Sequence, residues 1–130
     1  MTYYTILKLD DVPDVLGDYP GEMRMLTAQL GCEQVAITHR RMPQHSGGKG
    51  GYGHRHKTQE EIYFVLSGKL QAKLEDEVLE VEGPAAIRVP PGVVRSFWND
   101  EPEDAHVVIV SQKIEDPEGD AELVENFWPE

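Results

Sequence analysis

Gly48 to Gly68, GKGGYGHRHKTQEEIYFVLSG, is the stretch whose reading decides the fold. It carries His54 and His56, two positions apart, then Glu60 and Glu61, then the apolar run Ile62 to Leu66 closed by Ser67-Gly68. Successive side chains of a strand point to opposite faces, so His54 and His56 aim at one point while Arg55 looks away. Glu61 lies five residues past His56, the wrong parity for one straight strand. The chain must therefore turn or bulge near Lys57-Thr58-Gln59, and a new strand opens at about Glu60. From that neighbouring strand Glu61 faces the two imidazoles, with Glu60 as its competitor for the role. If Glu61 points inward, so do Tyr63 and Val65, and Ile62 and Phe64 pack the other face. Two imidazoles and a carboxylate form a ligand set for a divalent first-row metal with open positions left over.

The spacing Gly48-x5-His54-x-His56-x4-Glu61-x6-Gly68 resembles the first conserved motif of the cupin superfamily at every fixed position. Gly83 to Asn99 resembles the second: Pro90-Pro91-Gly92 fits its Pro-x-Gly, and Asn99 fits its closing residue. Its opening glycine stands one place early, with Pro84 behind it. The resemblance implies an all-β fold, a double-stranded β-helix or jelly-roll barrel. It favours Glu61 over Glu60 as the third ligand beside His54 and His56. It also implies one divalent transition metal (Fe, Mn, Ni, Cu or Zn) and metal-assisted chemistry, of the oxygenase or isomerase kind, on a small and anionic molecule.

The departure from the family pattern is Arg95, which stands where metal-binding cupins have a fourth ligand, a histidine. A guanidinium stays charged and cannot ligate a metal. Two arrangements accommodate it. In one, no metal is bound and Arg95 pairs with Glu61, leaving a metal-free small-molecule-binding or regulatory barrel. In the other, the metal sits on His54, His56 and Glu61, and Arg95 either swings outward or is neutralised by a substrate carboxylate that bridges it and the metal, with Tyr63 also lining the pocket. A surface position for Arg95, on a slipped strand, is the alternative to both. His39, His45 and His106 are the candidates for a replacement fourth ligand.

The rest of the chain sets limits. Its 130 residues suit a single domain, with a conserved barrel at about 33–113 and an acidic tail at 115–130. Acidic residues number 24 against 12 basic, a net charge of -12, which disfavours nucleic acid and anionic membrane surfaces as partners. Cys32 is the single cysteine, which fits a reducing, cytoplasmic setting. The start, MTYYTILKLDD, is not expected to be a signal peptide, and no apolar run approaches the roughly 18 residues needed to span a bilayer. The five glycines between Gly47 and Gly53 are no phosphate cradle, because no Lys-Ser/Thr pair and no helix follows. Their expected use is flexibility over a pocket mouth. Serine or cysteine nucleophilic catalysis finds no supporting frame, and Glu60 and Glu61 point to opposite faces, so they form no glycosidase pair.

Read in order, strands are expected at Thr2 to Leu9, Glu22 to Leu30, Glu33 to Met42, Glu60 to Leu66, Lys69 to Leu74, Val78 to Val81, Ala85 to Val89, Val94 to Trp98 and Ala105 to Lys113. Val35, Ile37 and His39 should share one face. The tail should be mostly solvated, with Leu123, Val124, Phe127 and Trp128 buried in a short helix or in an arm packed on the barrel or on a partner. A homodimer, built through such aromatic segments or a sheet face, is expected.

Overall fold

Short runs of alternating residues, each cut by a glycine, a proline or an acidic turn, become the strands of two facing sheets. The computed structural model describes residues 3–130. In chain order they are β1 (Glu22–Met25), α1 (Thr27–Leu30), β2 (Val35–Met42), β3 (Ser46–Gly47), β4 (Gly51–His56), β5 (Glu61–Ser67), β6 (Lys69–Leu74), β7 (Glu77–Glu82), β8 (Ala85–Val89), β9 (Arg95–Asn99), β10 (Ala105–Gln112), α2 (Pro117–Asp120) and β11 (Ala121–Trp128). One sheet has five strands in the order β1-β2-β10-β5-β8. The other has six, β11-β4-β9-β6-β7, with β3 also paired to β9. All of these pairings are antiparallel. Chain neighbours β4 and β5 belong to different sheets, which is the crossing expected of a double-stranded β-helix.

The core fills the space between the sheets. Met42, Tyr63, Val65, Leu70, Ala72, Val89, Phe97, Ala105 and Val107 form it. Burying a Val or Leu side chain stabilises the fold by about 1.5–3 kcal/mol, and Val65 and Leu70 are wholly covered. β5 follows the expected alternation: Glu61, Tyr63 and Val65 are buried, while Ile62, Phe64 and Leu66 are exposed on the outer face. Two motif positions close the frame. Asn99 is buried, donates to the Met42 and Glu103 carbonyls and accepts from the Glu101 N–H. Gly68 sits at φ 84°, where a Cβ would meet the Ala105 backbone at 2.7 Å, so only glycine fits.

Three expectations give way. Tyr3 to Lys8 forms no strand, and Tyr3, Tyr4 and Ile6 are exposed; Thr2 lies outside the described residues. The β-branched run there pairs with neither sheet, and β1 is the end strand of the five-stranded one. The strand from Glu22 stops at Met25, and Thr27–Leu30 turns into a helix that Gly31 ends in the left-handed region at φ 76°. The acidic tail, expected to be mostly solvated, contributes β11, an edge strand paired to β4 with Trp128 buried. Acid-rich composition did not prevent pairing, because the apolar Val124, Phe127 and Trp128 had a bare sheet edge to cover.

Candidate metal centre

His54 and His56 share the inner face of β4, and β9 lies beside it with His54 opposite Arg95. Directly opposed residues on paired strands share a face, so the register alone carries Arg95 inward beside the imidazoles. Beyond His56 the chain turns through Lys57 to Glu60 and enters the other sheet. Glu61, expected on a neighbouring strand, instead reaches the histidines from across the barrel. Ligand atoms of His54, His56 and Glu61 lie within 4.8 Å of one another. Glu61 Oε1 is 3.4 Å from His56 Nε2 and 3.8 Å from His54 Nε2, and the two rings meet edge to face at 5.2 Å. Glu60 points outward to Arg88, so Glu61 is the acid of the two that stands beside the histidines.

The turn that delivers Glu61 is held by Asp120, at the end of α2. Its backbone carbonyl accepts from Lys57 N–H, Oδ1 accepts from the Thr58 N–H and hydroxyl, and Oδ2 accepts from Gln59 N–H at 3.1 Å. Oδ2 also stands 3.3 Å from His56 Nδ1, close enough for an ion pair though out of line for a full hydrogen bond. His56 is thus flanked by carboxylates on both ring nitrogens. A proton on Nδ1, on the Asp120 side, would leave the Nε2 lone pair toward Glu61 Oε1, where a cation could satisfy both. Burial works against the Asp120 carboxylate, but the Thr58, Gln59 and His56 contacts outweigh it and hold its pKa below the usual value. Sequence reading missed Asp120. Nothing local distinguished it from the other acids of the tail.

The donor set fits a divalent transition ion. Two ligands each about 2.1 Å from a shared ion stand roughly 3–3.4 Å apart; Glu61 and His56 are at that separation, 3.4 Å, and Glu61 and His54 are somewhat wider at 3.8 Å. A carboxylate behind a ligating imidazole is the usual outer support of such sites. Burial pushes the Glu61 carboxyl up, but His54, His56 and Tyr63 together hold it well below the ordinary range, so it is an anion ready for a cation. The cluster could therefore hold a metal ion through His54, His56 and Glu61.

Arg95 and Tyr63 converge on the same oxygen. Arg95 is fully buried, with Nη2 3.4 Å from Glu61 Oε1 and Nη1 donating to the Val93 carbonyl. It is not a surface residue. Its Nε and Nη2 have no hydrogen-bond partner. The Tyr63 hydroxyl donates to Glu61 Oε1, and burial together with that carboxylate raises its pKa well above the ordinary value. The three remaining histidines stay away from the cluster. His39 and His106 meet each other on the outer face of the five-stranded sheet, at 3.2 Å, and His45 stacks on Trp98 beside Asp100.

Two cavities flank the cluster. One of about 630 Å³ is walled by the glycine-rich segment and by Tyr19, Arg40, His54, Arg95 and Phe97. Another of about 300 Å³ touches Thr38, His56, Gln59, Glu61 and Ser111. The glycine-rich segment does lie over a pocket. A Cβ on Gly48 would overlap the Ser96 hydroxyl, so the wall packs directly on β9 there.

Among the described residues, no helix is long and apolar enough to cross a membrane. No curated protein matches the chain. Solved structures do. A Cupin 2 conserved barrel domain protein from Salinispora arenicola superposes with TM-score 0.69 at 14% identity, covering 86% of this chain and 91% of that one. A predicted oxalate decarboxylase from Thermotoga maritima gives 0.69 at 16%, covering 85% and 100%. A putative sugar phosphate isomerase from Acidithiobacillus ferrooxidans gives 0.64 at 20%, covering 72% of this chain and 60% of that one. Identities this low show a shared fold alone. The Cupin domain family model matches residues 41–111, more than half of the chain and all of the ground from β4 to β9; the chain belongs to that family.

Proposed function

We propose that this barrel binds one divalent transition metal through His54, His56 and Glu61 and acts on a small anionic molecule, in a reaction of the oxygenase or isomerase class. The observation that carries this is the meeting of two imidazoles from one sheet with a carboxylate from the other, backed by Asp120 behind His56. When bound, the ion supplies Lewis-acid polarisation of a substrate oxygen. Tyr63 and Arg95 fix Glu61 Oε1, and Asp120 holds the turn and the ring of His56. A guanidinium beside a divalent ion repels it by several kcal/mol even at an effective dielectric of ~20. Glu61 offsets part of this, and an anionic substrate group taking up the free Nε and Nη2 donors of Arg95 offsets the rest. Arg95 and Tyr63 are substrate contacts in that sense.

One observation favours a second reading, in which no metal is bound. Arg95 already stands against Glu61, and a buried charge pair of this kind fills the ion's place. Metal analysis of protein purified without a polyhistidine tag separates the two. About half an equivalent or more of one metal supports the first reading; less than about a tenth, with no uptake of added Fe, Mn, Ni, Cu or Zn, rejects it. Under the second reading, Arg95→His creates metal uptake that the parent lacks.

We read the protein further as a cytoplasmic homodimer. The single cysteine supports a reducing compartment. Ile62, Phe64 and Leu66, side by side on the outer face of β5 and 39–45% exposed, support pairing through that face. Light scattering that returned the monomer mass at micromolar concentration would end the dimer reading.

A further inference from the structure

Arg40 lies on the inner face of β2, in register with Met23 and Val107, and lines the larger cavity. Its position is unusual for this chain. Acids outnumber bases by 24 to 12, so carboxylate partners are plentiful. Arg24 and Arg41 pair with Glu22, Arg55 with Glu122, Arg88 with Glu60 and Arg95 with Glu61. Among the described residues Arg40 is the arginine with no ion pair, and its Nε is buried without a hydrogen-bond partner. Burial lowers its pKa, and the ionisable groups that bear on it are tyrosines, Tyr19, Tyr63 and Tyr52. Arginine does not give up its proton in proteins, so the charge remains. No Asp or Glu lines the cavity, whereas Arg40, Lys49, His54 and Arg95 do. A half-buried guanidinium without an ion pair, its Nε covered and unpartnered, favours a ligand that supplies the counter-charge.

We infer that Arg40 is the anion anchor of the larger cavity, and that the cavity takes a small monocarboxylate with a flat apolar body. This rests on reading the pocket as a small-anion site, and not on the metal. One planar fork with one positive charge matches one carboxylate. Tyr19, Tyr52, Phe97, Leu16 and Met23 supply the apolar walls, and about 630 Å³ is the size of a small-molecule site. Arg95 shares its charge with Glu61, 3.4 Å away, which leaves Arg40, among the described residues, as the guanidinium with no carboxylate opposite it.

The test uses benzoate, its neutral counterpart benzamide, and inorganic phosphate, titrated against the full chain by calorimetry, with metal content measured on the same samples. Benzoate should bind at least about tenfold tighter than benzamide, with phosphate a poor competitor. Arg40→Met should weaken benzoate at least about tenfold, leave the metal content unchanged and raise Tm by about 3 °C, since it removes an unpaired, half-buried charge. Arg40→Lys should keep part of the preference for benzoate. Equal binding of benzoate and benzamide, or none by about 50 mM, overturns the inference whether or not any variant folds. So does parental benzoate affinity in Arg40→Met, a Tm that falls in that variant, or phosphate competing as well as benzoate. Loss of metal together with benzoate in Arg40→Met would place the residue in the frame of the metal cluster and also overturn it. Absence of metal from every sample, with the benzoate preference intact, would sink the metal reading and leave this one standing.

Discussion

The barrel holds two histidine pairs of nearly equal spacing, and they suit opposite partners. The rings of His54 and His56 are 5.2 Å apart, and those of His39 and His106 are 5.3 Å apart. The inner pair has carboxylates on its nitrogens, Glu61 for both rings and Asp120 behind His56. Among the described residues the outer pair has no carboxylate at ring distance: burial first, then His106, with Arg24 and Arg41 adding to them against Glu22, disfavour a proton on His39. Two imidazoles at ligand distance are therefore not enough for a cation site. The negative charge placed around them decides what they hold.

Removing that charge should have the largest effect. Glu61→Gln keeps the shape of the inner site and takes away its anion, so affinity for added Zn²⁺ or Mn²⁺ should fall by about 4 kcal/mol or more, roughly a thousandfold. His39→Ala should leave it unchanged. Equal losses in the two variants, measured by competition with a chelator, would erase the distinction between the pairs. Asp120→Asn comes next. It keeps the Oδ1 acceptor for Thr58, gives up the Oδ2 acceptor for the Gln59 N–H and removes the charge behind His56, so metal affinity should fall by about 10–100-fold. A parental affinity there would mean that Asp120 serves the turn and nothing else.

The smallest effect is a pH dependence belonging to the outer pair. Burial, then His106, Arg24 and Arg41, hold His39 below its ordinary value of 6.5. As pH falls through 6.5 the unfolded chain takes the proton first, so stability declines from there down to the folded-state value. His39→Asn should flatten the urea-unfolding free energy between pH 7 and the onset of acid loss; an unchanged slope would show that the ring titrates freely. Glu61 acts in a separate window. Its depressed value contributes stability above its ordinary 4.5, and that contribution is lost only as pH falls below it.

How much of this was legible depends on how far apart in the chain the partners lie. His54, His56 and Glu61 could be read because period-two alternation and one short turn place them, and Arg95 because the second motif fixes its position. Asp120 could not be read, since its role depends on β11 pairing with β4, some 65 residues back. Arg40 was hidden by its own strand. Val35, Ile37 and His39 do share a face, as alternation required, but it is the outer one, and the polar face carrying Thr38 and Arg40 looks into the cavities. Which side of a strand becomes the inside is set by its neighbours in the sheet. The run at Tyr3 to Lys8 teaches the same lesson in reverse: residues suited to a strand make none unless a neighbouring strand pairs with them.

The crossing from β4 to β5 has a mechanical consequence. Because the imidazoles hang from one layer and the acid from the other, whatever grips all three clasps the two halves of the shell together. Its binding energy adds to the resistance of the barrel against opening, so occupancy of the centre and rigidity of the whole protein should rise and fall as one.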